Sequence, residues 1–106
     1  MEAKLIWTNS GGKDEDGFSI EEECEVLVFA EERSIVRSEF YEALRSGVSV
    51  KKILRLRRED FEQSRHTDQN GHTQYATKIE YEGETYGIIK HYAKGKADIE
   101  LTCGDA

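Results

Sequence analysis

The chain has 106 residues, of which 37% are hydrophobic and 35% are charged, and its net charge is −7. That length suffices for one domain with a modest core, so residues 1–106 are expected to form a single domain. No apolar run approaches the length of a membrane span, and the first ten residues lack the apolar core of a secretory signal, which makes a cytosolic location the expectation. The acidic balance argues against a protein that holds nucleic acid by neutralising its phosphates.

The first third of the chain predicts two strands around a polar loop. Lys4–Thr8 has the composition of a short strand, and Asn9–Gly17 is polar and punctuated by glycine, which predicts a mobile loop. In Glu23–Glu32, one face carries Cys24, Val26, Val28 and Ala30. Leu27 and Phe29 make the other face apolar too, so this strand is expected to lie in the centre of a sheet, covered on both sides.

The segment RSEFYEALRSG, residues 37–47, predicts the one helix. Phe40, Tyr41 and Leu44 form an apolar stripe at helical spacing. Glu39 and Glu42 in the first half of the helix and Arg45 in its last turn have the charges that the helix dipole favours. Gly47, just beyond, is a typical residue for the end of a helix. A helix this short needs support from packing, so Phe40 and Leu44 are expected to anchor it to the sheet while Tyr41 faces outward.

The remainder of the chain predicts further strands and turns. Val48–Asp60 reads as a strand with Leu54 and Leu56 on one face and Arg55 and Arg57 on the other. Phe61–Tyr75 is polar with an Asn70–Gly71 turn signal, so it is expected to be a loop or an exposed hairpin tip, mobile over residues 63–74.

A hairpin and a closing strand complete the pattern. Two strands meet at Glu82-Gly83, and the last strand places Ile99, Leu101 and Cys103 on one face. Five or six short strands with one short helix predict a mainly β fold, a small antiparallel barrel or sandwich.

Catalytic and cofactor signatures are weak throughout the sequence. His66, Asp68 and His72 lie in a polar loop without the spacing of a metal site. Asp14 and Asp16 begin like a calcium loop, but the pattern fails further on, and the Gly95-Lys96 pair has the wrong surroundings for a phosphate loop. Cys24 and Cys103 are expected to be free thiols in apolar surroundings. We therefore expect no enzyme activity and no cofactor.

A basic strip runs along the predicted third strand, with Arg55, Arg57 and Arg58 preceded by Lys51 and Lys52. One interpretation is that these charges pair with acidic residues of adjacent strands, namely Glu80, Glu82 or Glu100. The other is that the strip contacts an acidic partner or another copy of the chain, which would join subunits head to tail.

Several segments together resemble the small head-closure, or head–tail joining, proteins of long-tailed bacteriophages and of phage-like chromosomal elements. The segments are Phe29-Ala30-Glu31 leading into Ser34–Tyr41, the hairpin Tyr81–Tyr86, and Ile99-Glu100-Leu101. The family often carries a proline after the helix, where this chain has Val48-Ser49-Val50. The resemblance spans roughly residues 24–103 and consists of packing and turn patterns.

The resemblance implies a β-barrel subunit of a ring between the portal and the tail. Its partners would be the portal or adaptor ring, tail-completion proteins and copies of itself, and double-stranded DNA would pass through without specific binding. It would reside in the bacterial host cytoplasm during assembly and then in the neck of the virion or phage-like particle, with no membrane involved.

The residues expected to contribute to interfaces are Tyr41, Glu42, Arg45, Arg55, Arg57, His66 and His72. The alternative function is a monomeric small β-barrel adaptor that binds a peptide or protein partner, and a small metal-dependent enzyme is disfavoured by the missing ligands.

Overall fold

A computed structural model describes residues 1–13, 17, 19–68 and 70–106. This part of the chain forms nine strands and two helices. Their order is β1 (Glu2–Lys13), β2 (Ser19–Phe29), β3 (Glu31–Arg33), α1 (Arg37–Arg45), β4 (Lys52–Arg57), α2 (Arg58–Glu62), β5 (His66–Thr67), β6 (Thr73–Gln74), β7 (Lys78–Tyr81), β8 (Glu84–Lys94) and β9 (Asp98–Asp105). The expected mainly β, antiparallel fold is confirmed, with more strands than predicted and a second helix.

Seven of these strands form one antiparallel sheet in the order β2-β1-β7-β8-β9-β4-β3. The two edge strands β2 and β3 are consecutive in the chain, with only Ala30 between them. Ala30 also exchanges backbone hydrogen bonds with Met1, at 2.9 and 3.2 Å. The sheet therefore curls until its two edges meet at Ala30, although it does not close into a continuous barrel.

The core lies on the concave face of the curled sheet. Its buried members include Leu5, Val28, Leu54, Leu56, Ile79, Leu101 and Cys103. Phe61 of α2 closes one end of this core and is 1% exposed. The alternation that predicted Leu54 and Leu56 inside, and Arg55 and Arg57 outside, is confirmed, as is the inward face of β9.

The hairpin of β1 and β2 extends beyond the rest of the sheet. β1 pairs with β7 only from Ala3 to Ile6, whereas its ladder with β2 continues to the pair Lys13 and Ser19. The long axis of the molecule is 52 Å, against 30 and 27 Å for the other two. The prediction of a loop over Asn9–Gly17 is thus wrong for residues 9–13, which continue β1, while residues 14–16 and 18 lie outside the described part.

β2 is an edge strand, and this corrects the prediction of a central strand covered on both faces. Val28 is buried as expected, but Leu27 is 65% exposed and Phe29 is 68% exposed. Two apolar faces do not distinguish a strand buried on both sides from an edge strand that displays apolar residues, so the pattern alone misled the prediction.

The polar segment after β4 contains more structure than predicted. The strand predicted over Val48–Asp60 is shorter than expected, since β4 covers only Lys52–Arg57 and α2 follows it directly. β5 and β6 form a short hairpin. Asp68 organises its tip by accepting hydrogen bonds from the backbone nitrogens of Asn70 and His72, both at 2.9 Å. These bonds lower the pKa of Asp68 against the opposing effect of burial. The predicted exposed hairpin tip is confirmed; its mobility stays a prediction.

Candidate assembly surfaces

Helix α1 is fastened to the outer face of the sheet by charged side chains. Arg33, at the end of β3, donates two hydrogen bonds of 3.2 Å from Nη2 to the two carboxylate oxygens of Glu39, in the first turn of α1. Arg33 Nε also lies 2.9 Å from Oε2 of Glu100, although its N–H does not point at that oxygen, so this contact is an ion pair. One guanidinium thus links β3, β9 and the helix.

Glu100 is the centre of this ionic cluster and is completely buried. Tyr92 of β8 donates a hydrogen bond of 2.6 Å to its Oε1, and Arg55 of β4 lies 3.6 Å from its Oε2. Both residues sit directly opposite Glu100 in the adjacent strands. Burial alone would raise the pKa of Glu100, but the hydrogen bond from Tyr92 and the charge of Arg33 outweigh burial and hold that pKa below its ordinary value.

The C-terminal end of α1 is fixed by a glycine turn. Gly47 has φ of +79°, and its N–H donates to the carbonyl of Leu44, while Val48 N–H donates to the carbonyl of Ala43. These two bonds form a Schellman motif, in which glycine adopts the left-handed conformation without strain. The helix is therefore attached to the sheet by ion pairs at its first turn, and its last turn is capped by hydrogen bonds of its own backbone.

The ionic attachment turns the apolar side of α1 away from the sheet. Val36, Tyr41 and Leu44 are exposed by 47%, 48% and 45%, and no residue of the helix is fully buried. The outward position expected for Tyr41 is confirmed, but the expectation that Leu44 anchors the helix is wrong, and Phe40 is only half-buried. The physical reason is that Glu39 and Ala43, on another side of the helix, are the residues that face the sheet.

A groove of 260 Å³ separates the inner side of α1 from the sheet. Its apolar lining comes from Ala43, Val48, Val50, Ile53 and Ile89. Glu39, Glu42 and Lys90 add charge to the lining of this groove. A groove with apolar walls and a few charged groups suits a small side chain of a binding partner.

The outward face of β2 is the second exposed apolar surface. Its members alternate along the strand and into β3, and we call them the β2 face: Glu23, Glu25, Leu27, Phe29 and Glu31, all exposed. Phe29 also borders a depression of 700 Å³ that is lined by Met1, Leu56, Arg55 and Arg57 among others. An exposed Leu and Phe on adjacent outward positions form a patch of the kind that marks an interaction site.

The β1–β2 hairpin carries most of the negative charge of the protein. Residues 7–25 contain seven acidic residues and one lysine, which is −6 of the total of −7. The rest of the chain is therefore almost neutral. A segment with this net charge repels phosphate and attracts basic surfaces.

Three of the five basic residues of the strip form ion pairs within the described chain, and one of these pairs, to Glu100, is of the kind that the first interpretation of the sequence expected. Arg55 approaches Glu100 as described, and Lys52 contacts Glu32 at 2.8 Å. Arg57 contacts Glu59 at 3.2 Å, although both side chains are 73% exposed, and such a pair contributes little stability. Glu100 was among the partners that the sequence indicated, whereas Glu32 and Glu59 were not.

The two histidines expected at an interface lie on the β5–β6 hairpin. His66 stacks on Trp7 with ring centroids 5.9 Å apart, and His72 approaches Asp68 at 3.7 Å. Asp68 is occupied by donors of its own hairpin, and the described residues contain no group of three metal-ligating side chains close enough to hold an ion.

The predicted interface residues thus fall into three separate groups. Tyr41, Glu42 and Arg45 belong to α1; Arg55 and Arg57 lie beside Phe29; His66 and His72 lie on the β5–β6 hairpin. Sequence reasoning missed the cluster that orients α1: it indicated Glu100 only as a partner of the basic strip and Glu39 only for the helix dipole, and it did not single out Arg33 or Tyr92. The one available signal was the acidic residue in the middle of the apolar strand Ile99-Glu100-Leu101, because a buried carboxylate requires partners.

Comparison with protein-family models, with curated proteins and with solved structures gives no match. In the described part of the chain, no helix is both long and apolar enough to cross a membrane.

Proposed function

We propose that the protein is a structural subunit of a phage or prophage head–tail connector ring, which closes the portal channel and docks the tail. The observation that supports assembly is the exposure of Tyr41 and Leu44 on a helix whose Glu39 is paired with Arg33 of the sheet. The resemblance of the sequence to head-closure proteins supports the connector in particular.

The rigid attachment of α1 favours a role in binding. Association costs less free energy when the binding groups are already ordered. Arg33 ties the first turn of α1 to the sheet and the Gly47 turn caps its last turn, so Tyr41 and Leu44 are presented on an ordered helix before any partner arrives. Aromatic residues are enriched at protein interfaces, and Arg37 lies over the Tyr41 ring at 5.9 Å, which further orders it.

The distribution of charge suits a conduit for DNA. The acidic segment 7–25 repels phosphates, and the remainder of the chain has almost no net charge to retain them. Double-stranded DNA would then pass the ring without specific binding. The partners would be the portal or adaptor ring and tail-completion proteins. The protein would bind them in the host cytoplasm during assembly and remain with them in the neck of the particle.

A second candidate function is a monomeric adaptor that binds a peptide or protein. The groove between α1 and the sheet favours it, since Val48, Val50 and Ile53 offer an apolar wall beside Lys90. In this case the groove, rather than the outer side of α1, would contact the partner.

Deletion of the gene from the phage-like element that encodes it tests the proposal. We expect DNA-filled heads and free tails to accumulate unjoined in electron micrographs, and the wild-type gene supplied in trans to restore tailed particles. A Tyr41→Glu/Leu44→Glu gene should fail to restore them, while a matched control with Thr85→Glu, at an exposed position on β8, should succeed. Normal tailed particles from the deletion strain would contradict the connector and leave the adaptor.

A further inference from the structure

We infer that neighbouring subunits join head to tail, with the outer side of α1 of one copy packed on the β2 face of the next copy. The inference rests on the proposed function, because it names the partner of α1 within the assembly. The two surfaces are different parts of the same chain, and each presents apolar residues flanked by charges of opposite sign to the other.

The β2 face is acidic around an apolar centre. Leu27 and Phe29 are the most exposed large apolar residues of the described chain, at 65% and 68%. Glu25 and Glu31 flank them along the strand. Lys4 approaches Glu25 at 3.6 Å, but the Glu25 side chain stays 54% exposed, so much of its charge faces solvent.

The outer side of α1 is basic around an apolar centre. Arg37 and Arg45 are exposed at the two ends of the helix, with Tyr41 and Leu44 between them. Glu39 is turned inward to Arg33, so its charge is neutralised within the subunit. The ionic cluster that orients α1 therefore also removes an acidic group from the outer side.

The two surfaces have compatible lengths. Arg37 and Arg45 are eight residues apart, about 12 Å along a helix. Glu25 and Glu31 are six residues apart, about 20 Å along an extended strand. Each long arginine side chain has to cover only about 4 Å of the difference, which its flexible stem allows.

The depression beside Phe29 gives the contact a recess for an anchoring side chain. Its apolar lining comes from Met1, Phe29, Ala30 and Leu56, and its charged lining from Arg55, Arg57, Glu31, Asp60 and Asp98. Anchoring aromatic residues at interfaces typically insert into such recesses, and an arginine beside an aromatic ring adds a favourable cation–π contact. Tyr41 of the neighbour is the residue that fits this recess.

A contact between two different surfaces propagates from subunit to subunit. Such heterologous contacts close into a ring when the rotation between copies permits, whereas a contact between two identical surfaces stops at a dimer. A single helix of nine residues covers a small area, so each contact should be weak by itself and the ring should depend on many of them.

Cross-linking of two single-cysteine variants tests the inference directly. In a Cys24→Ser background, Leu44→Cys is made in one chain and Phe29→Cys in a second chain of different mass, and the two are mixed and oxidised at about 1 mM. We expect a mixed dimer from the mixture and little cross-linking within either solution alone. Replacing Phe29→Cys by Thr85→Cys, an exposed site on β8, should abolish the mixed dimer.

Charge reversal provides an independent measurement by sedimentation. Arg37→Glu/Arg45→Glu and Glu25→Arg/Glu31→Arg should each lower the association constant by about tenfold or more, and the variant with all four changes should recover it. Self-association that persists unchanged in the reversed variants, or a Phe29→Cys dimer with itself in place of the mixed dimer, would overturn the inference and leave the proposed function intact. A wild-type protein that stays monomeric at about 1 mM, without cross-links, would count against both.

Discussion

Tyr92 donates a hydrogen bond of 2.6 Å to Glu100, a carboxylate that solvent does not reach. The bond raises the pKa of Tyr92, and burial raises it further. It also opposes the effect of burial on Glu100, whose pKa ends below its ordinary value. Because Arg33 connects Glu100 to α1, we expect protonation of this one buried group to weaken the attachment of the helix to the sheet.

Acid should weaken the protein through Glu100. A carboxylate whose pKa is lowered on folding stabilises the folded state above the ordinary value near 4.5, and this stabilisation is lost as the pH falls through the folded pKa. We expect the free energy of unfolding, measured by urea denaturation, to fall below about pH 4.5. Glu100→Gln should cost about 1–3 kcal/mol at neutral pH, because it removes the buried charge that pairs with Arg33 and Arg55, while Arg33 keeps Glu39 as a partner.

The pH dependence separates a specific effect from a general loss of fold. The difference in stability between wild type and Glu100→Gln should be largest at neutral pH and shrink below about pH 4.5. Glu23→Gln, at an exposed position, is the matched control and should track the wild type at every pH. A difference between wild type and Glu100→Gln that is constant with pH would show that the charge of Glu100 is not what stabilises the cluster.

The exposed aromatic residue Tyr41 and the buried aromatic residue Phe61 should respond differently to truncation. Phe61→Ala should cost about 3–5 kcal/mol, because Phe61 is 1% exposed and stacks on Tyr75 at 5.1 Å. Tyr41→Ala should change the free energy of unfolding by only about 0.5 kcal/mol, since the ring is 48% exposed. Thermal and urea unfolding of the two variants measure this contrast, and a large loss in Tyr41→Ala would mean that its ring belongs to the core.

The two thiols should differ in reactivity. Burial raises the pKa of Cys103 to about 12, against a smaller opposing effect of Lys52, and the side chain is fully buried. Cys24 is half-buried and free. At pH 8, a chromogenic thiol reagent should label one cysteine of the folded protein quickly and the second only on unfolding. The Cys24→Ser variant should lose the fast phase, and two equally fast thiols would contradict the burial of Cys103.

Much of the fold was predictable from alternation and turn chemistry. Leu54 and Leu56 were assigned to the core because their period of two is unambiguous beside charged neighbours. The Glu82-Gly83 turn was predictable from its glycine between two strand patterns. In the structure both residues adopt positive φ, at 52° and 82°, as a tight hairpin turn requires. Helix α1 was predictable from its stripe and its glycine.

The orientation of α1 and the position of β2 were not predictable, because both depend on contacts between distant segments. The stripe Phe40, Tyr41 and Leu44 favours burial when α1 is considered alone, whereas in the structure Glu39 pairs with Arg33 of the sheet and Tyr41 and Leu44 are exposed. Leu27 and Phe29 likewise do not indicate whether a further strand covers them. Three of the predicted interface residues, Tyr41, Glu42 and Arg45, do lie on one exposed helix, as the sequence indicated.

Sedimentation velocity of the wild type and of Tyr41→Glu/Leu44→Glu tests the central claim, that the outer side of α1 is an assembly surface. Across concentrations from about 10 µM to about 1 mM, the account predicts a rising sedimentation coefficient for the wild type and a constant monomer value for the variant. The two proteins should share one thermal midpoint, because both substituted side chains are about half exposed. An equal rise in both proteins, or a wild type that stays monomeric throughout, would contradict the claim.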